Sequence, residues 1–359
     1  MRKIVFIIPQ LSQPRCIKRV NAFHEAGFEV EVYGFDKGLY SNNIASYSCE
    51  THSVIDKERT RFQSICQSIK IVREVKKCLK KDDLVYIFGI EQAFYYKLLC
   101  GKNDFLYEQA DLNYTKLPQK LLVSLFRKID KYLISKSYKT VLTSQGFVDY
   151  LYGGSKAPTN IILLENRLNK DLKKVSVKEH STDLNAIRFA FIGAIRYPRT
   201  ILTFARVVAE QFPTHQFHFY GEGLFSSQAK ELCERYPNNL FYHGGFSNPR
   251  DLPVIYSNVD LNVVCYDTAS MNVRIAEPNK LYESCFFRVP LVVSSSTFLE
   301  KKVLNMGVGF SIDCTKESEI ISFIESINKT SFDNCLEAMR RIPDEQLFDN
   351  TNELIQSLK

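Results

Sequence analysis

The sequence predicts an α/β protein of two doubly wound, Rossmann-like domains facing each other across a cleft. Three observations predict it. Short apolar runs alternate with helical patterns, the signature of a parallel sheet covered on both faces. The alternation occurs twice, in units of similar size that each open on a strand. Between them lies "RLNKDLKKVSVKEHSTDLN" (167–185), polar, charged and nearly without apolar periodicity. At 359 residues the chain is too long for one ordinary domain and comfortable for two. The expected division is a first domain at 1–166, a linker at 167–186, a second domain at 187–340 and a helical tail at 341–359 that returns to the first domain. In such a pair the ligand crevice lies at the carboxyl ends of the strands.

Taken in order, "KIVFIIP" (3–9) reads as a strand, "CIKRVNAFHEAG" (16–27) as a helix ended by Gly27, and "FEVEVYGF" (28–35) as an alternating strand. A basic amphipathic helix (61–81) leads to the strand "DLVYIFG" (83–89), then "FLYEQAD" (105–111). A long helix (117–137) precedes the strands "YKTVLTS" (138–144) and "NIILLEN" (160–166). The second unit runs strand "IRFAFIG" (187–193), helix 200–212, strand "HQFHFYG" (215–221), helix 228–236 and strand "NLFYHG" (239–244). A short helix (251–259), the strand "DLNVVCY" (260–266), the helix "NKLYESCFF" (279–287) and the strand "PLVVSSS" (290–296) follow, with two closing helical segments.

Composition narrows the function classes. Hydrophobic content is 45% and charged content 24%, ordinary for a globular chain, and no window approaches a membrane span. "MRKIVFIIPQ" has a charged start, but its apolar core is too short for a signal peptide and reads as the first strand. The ten cysteines show no CxxC pairing. Cys66, Cys78, Cys233, Cys265 and Cys285 fall in helical or strand patterns, where a free buried thiol is the common case. A reducing, cytoplasmic compartment is expected. The formal charge of +7 suits nucleic acid, an anionic membrane face or a phosphorylated substrate, and does not choose among them.

Several strands end in glycine: Gly89, Gly193, Gly221 with Gly223, and Gly244 with Gly245. Glycine there permits close backbone approach and leaves amides free for anions, although "FYGEG" is equally a structural turn. No GxGxxG follows the first strand and no GxxxxGK[ST] occurs, which disfavours nicotinamide dinucleotides and P-loop chemistry. In "EPNKLYESCFFRVPLVVSSST" (277–297), Lys280 and Glu283 fall in the first turn of a helix, with Glu283 one turn from Asn279. A carboxylate fixed there can take the hydroxyls of a ribose, and a cation beside helix-start amides can neutralise a diphosphate. The alternative is Asn279 as a helix cap with Lys280 and Glu283 facing solvent.

This segment and the two-domain layout resemble the retaining glycosyltransferases of the two-Rossmann (GT-B) type, the large family that includes bacterial polysaccharide, capsule and lipopolysaccharide enzymes. "KLYESCFFRVPLVVSS" is similar to that family's glutamate helix, turn and Val-rich strand, with Glu283 matching the ribose-binding glutamate. "FAFIGAIRYPRTI" resembles the element opening the donor domain, with Arg196 matching a diphosphate-binding cation. "HFYGEG", "LFYHGGF" and "LPVIYSNVDLNVVCY" follow in the family's order, and "LLENRLN" places Asn166 at an interdomain loop. The run 187–312 carries most of the similarity.

The resemblance implies an enzyme that moves a hexosyl group from a UDP- or GDP-linked donor to a lipid-linked glycan acceptor with retention. It implies catalytic roles for Arg196, Lys280, Glu277 and Asp111. Donor contacts would come from Glu283, Asn279, Leu281, Gly193, Gly221, Gly223, Gly245 and Phe246, and acceptor or interdomain contacts from Glu108, Asn166 and Pro9. Two departures stand out. The family's first glutamate would fall at Ile275, so that Glu277 from a shifted loop, or Asn272 or Arg274, would take its place. "LYEQADL" resembles an E-x-H-D strand end whose histidine position is Ala110; Asp111 is also open to a bracing role. A nucleotide-sugar epimerase of the same fold and a non-catalytic, membrane-associated assembly partner are the alternatives.

No metal is expected. The six histidines, at 24, 52, 180, 215, 218 and 243, and the carboxylates lack metal-ligand spacing. The stretch 116–139 holds seven Lys/Arg against one Asp, with Leu121, Leu122, Leu125, Phe126, Ile129 and Leu133 on an apolar side. It reads either as a helix packed on the sheet with a solvated basic face or as a peripheral contact with an anionic inner membrane face. Basic residues are not arranged in a nucleic-acid reading module, so no nucleic acid partner is expected.

Overall fold

A computed structural model of the protein describes residues 2–37, 46–55, 60–100, 103–177 and 182–358. Its contacts group into two compact units: Met1–Asn166 with Asn350–Lys359, and Arg167–Asp349.

The first unit is built on a seven-stranded sheet of β1 (Lys3–Ile8), β2 (Glu29–Asp36), β3 (Glu50–Ile55), β4 (Leu84–Phe88), β5 (Phe105–Gln109), β6 (Lys139–Leu142) and β7 (Ile161–Leu163). The order is β3-β2-β1-β4-β5-β6-β7, every pair parallel. The helices are α1 (Pro14–Glu25), α2 (Arg61–Cys78), α3 (Ile90–Leu99), α4 (Lys120–Lys136) and α5 (Gln145–Tyr152). Ile4 to Ile8 and Leu84 to Phe88 are buried without interruption, which is why the central strands read as continuous apolar runs. Phe6 stacks on Tyr86 at 4.9 Å and meets Phe23 of α1 edge-on at 5.6 Å, closing the core on one face.

The second unit carries β8 (Arg188–Ile192), β9 (Gln216–Tyr220), β10 (Leu240–Gly244), β11 (Leu261–Val264), β12 (Leu291–Ser294) and β13 (Gly309–Ile312). They lie parallel in the order β10-β9-β8-β11-β12-β13. Its helices are α6 (Pro198–Gln211), α7 (Ser226–Arg235), α8 (Leu252–Ser257), α9 (Met271–Ile275), α10 (Lys280–Phe287), α11 (Phe298–Met306), α12 (Glu317–Ser326), α13 (Lys329–Arg340) and α14 (Asp344–Leu347). One core joins Phe189, Phe204, Phe217, Phe219 and Ile320 on the α6 and α12 side. The other joins Ile192, Tyr256, Leu281, Val293 and Val303 on the α8, α10 and α11 side. In each unit the strand order reverses once, between β1 and β4 and between β8 and β11. Connections leave in opposite directions at such a point, and a crevice opens outside the carboxyl ends of the strands.

Several expectations need correction. β3 and α3 were not anticipated. "ETHSVI" has no apolar run because β3 is an edge strand paired only with β2, and α3 starts directly after β4 at Gly89 with no linker signal. Residues 167–177 are not a linker: Leu168 and Leu172 are buried in the second unit, and Leu168 donates its amide to Leu347 O at 3.0 Å. Two leucines among charges are too sparse to register as periodicity. Residues 178–181 of that stretch, His180 included, lie outside the described residues. The tail divides at Asn350 rather than at 341, because Leu347 and Phe348 stay in the second unit's core. After it, α15 (Thr351–Gln356) and Leu358 pack into the first unit's core beside α1.

Cys265 is not a free thiol; it is bonded to Cys314, 49 residues away. The parallel register across β12 brings the ends of β11 and β13 together, which no sequence spacing reveals. Of the apolar side expected for α4, Leu121, Leu122 and Leu125 are exposed rather than packed.

Candidate functional site

The carboxyl ends of β8, β9 and β10 and the start of α10 gather most of the expected donor residues. Gly193 follows β8 with φ +146°, and Gly221 follows β9 with φ +133°. A Cβ on Gly221 would stand 2.0 Å from Gly193 O, and one on Gly223 would stand 2.5 Å from Ile195 O. The two loops pack backbone against backbone, and glycine is the residue that allows it.

Beside them begins α10. Lys280, its first residue, is 5% exposed, and its stem passes Gly193 closely enough that a Cβ there would be 3.6 Å from Lys280 Cε. Its ammonium donates to Glu283 Oε2 at 2.5 Å and lies 5.6 Å from the Phe246 ring centroid. Glu283 is 1% exposed and fully engaged. Its Oε1 accepts from Asn279 Nδ2 at 2.5 Å and Asn248 Nδ2 at 3.2 Å, and its Oε2 also accepts from Tyr256 OH at 3.1 Å. Asn262 extends the network, donating to Tyr256 OH at 3.2 Å and Ser284 Oγ at 2.8 Å. Burial, with the Glu283 charge next, pushes the Tyr256 phenol well above its ordinary value.

The surface-helix alternative therefore fails. Asn279 makes no cap hydrogen bond; its side chain turns to Glu283, and the pair expected to face solvent is buried. Each carboxylate oxygen of Glu283 accepts two hydrogen bonds, which offsets the cost of burying the pair.

Other expected residues have different surroundings. The Glu277 carboxylate is 1% exposed and accepts from Lys302 Nζ at 2.6 Å and from Tyr282 OH, so it is paired inside the unit. Leu281 is wholly buried among apolar side chains, which leaves only its backbone for any ligand. Gly245 is exposed and Phe246 half-buried. Arg196 is exposed on the loop after β8.

A cavity of about 330 Å³ opens at the carboxyl ends of β11, β12 and β13. Arg199, Arg274, Tyr266, Thr200 and Ser294 to Ser296 line it. The serine run after the Val-rich strand, to which the sequence assigned nothing, thus forms part of its wall, and its cations are Arg199 and Arg274, not Arg196. Arg199 was legible as a basic residue directly after Pro198, where a helix start is expected. Tyr266 stacks on Tyr197 at 4.8 Å, and burial, then Tyr197 and Glu283, raise its phenol. Asp267 and Asp313 also line it, with Asp267 3.9 Å from Arg199, so two carboxylates stand beside the two guanidinium groups and the row of hydroxyls.

In the first unit Glu108, on β5, is 1% exposed. Its carboxylate accepts from Arg19 Nε at 3.1 Å and from Tyr86 OH, and Arg15 Nε lies 3.4 Å from the second oxygen. Arg19 also donates to Thr351 Oγ1 just ahead of the terminal turns. Glu108 is thus buried in a two-arginine cluster. Asp111 is exposed, and Asn166 and Pro9 are half-buried.

His218 donates to or accepts from His243 at 3.0 Å and stacks on Phe241 at 4.9 Å. Burial, then the His243 and Arg188 charges, lower it to about 4, so the imidazole is neutral at pH 7. Among the described residues no group of three or more His, Cys, Asp or Glu is arranged to hold a metal ion. No described helix is long and apolar enough to cross a membrane.

No family model and no curated relative matches the sequence. Solved structures match along its whole length. HepE of Anabaena, in complex with UDP and glucose, superposes with a TM-score of 0.72 at 16% identity, covering 100% of this chain and 99% of that one. Sucrose-phosphate synthase from Thermosynechococcus elongatus gives 0.72 at 13%, covering 99% of each. A UDP-N-acetylglucosamine 2-epimerase gives 0.64 at 11%, covering 100% and 96%. Likeness at these identities shows the fold: the chain has the two-Rossmann GT-B architecture.

Proposed function

We propose that the protein is a glycosyltransferase that uses a UDP-linked sugar and transfers it, with retention, to a lipid-linked glycan acceptor. The observation that carries the reading is the buried Lys280–Glu283 pair beside Gly193, at the strand-order reversal of the second unit. A ribose diol exchanges for the two asparagine amides on Glu283 Oε1, while Tyr256 and Lys280 hold Oε2. Lys280, with Arg196 on the loop after β8 and Arg199 in the first turn of α6, meets the diphosphate. The bond from the anomeric carbon to the diphosphate oxygen breaks and one to the acceptor oxygen forms. The departing diphosphate takes the acceptor's proton, and the cations stabilise the charge that develops on it. The UDP carried by the HepE structures supports uracil as the base.

Glu277 serves here as a positioning residue. Its bonds to Lys302 and Tyr282 fix the turn that delivers Asn279 and Lys280.

The test is incubation with a panel of UDP-sugars, followed by nuclear magnetic resonance. Slow release of UDP and free sugar, absent in Lys280→Met, is the expected outcome. Conversion of the donor to its epimer without UDP release overturns the transferase in favour of an epimerase.

A further inference from the structure

The cavity at the carboxyl ends of β11, β12 and β13 lies within the second unit and shares a wall with the candidate nucleotide site. That wall is Tyr266. Its ring packs against both cores of the unit and stacks on Tyr197, the residue ahead of α6. Burial first, then Tyr197 and Glu283, raise its phenol, and Arg196 lowers it, so the hydroxyl end stands between Glu283 and the loop after β8. Arg199, proposed above to meet the diphosphate, lines the same cavity. A sugar attached to that diphosphate therefore enters it. A volume of about 330 Å³ is at the lower end of the range for small-molecule sites, room for a single sugar ring.

Each carboxylate that lines the cavity has a cation of its own. Asp267 Oδ1 accepts from the Ala269 amide at 2.9 Å, and Oδ2 lies 3.9 Å from Arg199. Asp313 accepts from Thr315 Oγ1 at 2.6 Å and lies 3.1 Å from Lys316 Nζ. Glu300, which does not line the cavity, accepts from the Ser296 amide and Ser311 Oγ. Arg274 differs. Its Nε donates to Thr268 O at 2.6 Å, which anchors the guanidinium, and among the described residues its two terminal nitrogens have no carboxylate partner. On the same lining, the hydroxyls of Thr268, Ser295 and Ser296 also lack a partner among the described residues. Ser294 and Thr200, by contrast, are engaged with Tyr266 O and Cys265 O.

We propose that the donor sugar is a hexuronic acid, with its carboxylate on Arg274 and its ring hydroxyls on Asp267, Ser295 and Ser296. A guanidinium anchored through Nε offers its terminal nitrogens as a planar fork, the geometry that meets a carboxylate bidentately. A neutral hexose in the cavity would cover this cation without pairing it, which is unfavourable, and an amino sugar would set an ammonium against it. The inference rests on the UDP-sugar reading of this unit and names the sugar class within it.

The test is calorimetric titration of the full chain with UDP, with UDP-glucose and UDP-galactose, and with UDP-glucuronic and UDP-galacturonic acid. The wild type should bind one of the uronic acid donors about tenfold more tightly than the neutral sugar of the same configuration, as for one charge-assisted contact. Arg274→Gln should abolish that difference, with affinity for UDP and thermal melting unchanged, and Arg274→Lys should keep part of it. UDP binding by a wild type that prefers neither uronic acid overturns this inference alone, as does a preference that Arg274→Gln retains. Loss of UDP binding in Arg274→Gln gives Arg274 a structural role and overturns it too. No binding of UDP by the wild type overturns the nucleotide reading, and this inference with it.

Discussion

Substituting Glu283 by glutamine removes one charge from a pair whose side chains are 6% and 1% exposed. The ammonium of Lys280 is then left in a desolvated position facing an amide, and breaking such a pair costs about 3–5 kcal/mol of stability. Replacing both partners, Lys280→Met/Glu283→Leu, removes the stranded charge. It does not restore everything, because the Tyr256 hydroxyl loses its acceptor in a buried position, a loss of about 1–3 kcal/mol. Asn248 and Asn279 make bonds that are only part-buried and can hydrate instead. The single variant should therefore be less stable than the double, by about 2 kcal/mol. Urea denaturation followed by far-ultraviolet circular dichroism is the assay, since the chain has no tryptophan to report. A single variant within about 1 kcal/mol of the wild type, or a double no better than the single, would refute the claim that this ion pair is desolvated.

Other consequences follow from the same geometry. Lys302→Met strands the Glu277 carboxylate; because Lys302 is 27% exposed, the cost should be nearer 2 kcal/mol, measured by the same denaturation. Burial raises Asp130 from 3.8 to about 6, so its contribution is fully present below pH 3.8 and lost as pH rises through 6, about 3 kcal/mol in all. Asp130→Asn, which keeps partners for Tyr107 and Tyr114, should flatten that part of the stability–pH curve; an unchanged curve would show that Asp130 does not titrate there. Gly221→Ala should prevent folding of the second unit, because its Cβ would meet Gly193 O at 2.0 Å. Gly27→Ala, with open space and φ +87°, should cost only about 1–2 kcal/mol; equal melting losses in both variants would contradict the close loop packing.

The sheets were legible because a parallel strand covered on both faces must be apolar along its length. β1, β4, β8, β11 and β12 announced themselves in this way, and β3, at an edge with one strand partner, did not. Lys280 and Glu283 were legible as a pair one turn apart, but their burial was not. It depends on Asn248 and Tyr256, which lie 35 and 27 residues away from Glu283. Glu277 drew attention as a nearby acid, yet its partner Lys302 is 25 residues downstream on another helix. Local patterns reveal which face is apolar. They do not show which distant donor meets a buried carboxylate, nor that the leucines of α4 remain uncovered.

The most direct test of the nucleotide site is calorimetric titration of the wild type and of Lys280→Met/Glu283→Leu with UDP, GDP, ADP and CMP. The account predicts saturable binding of UDP by the wild type, weaker binding of the other three, and loss of UDP binding in a double variant that still folds. Undiminished UDP binding by the folded double variant, or no nucleotide binding by the wild type, would contradict it.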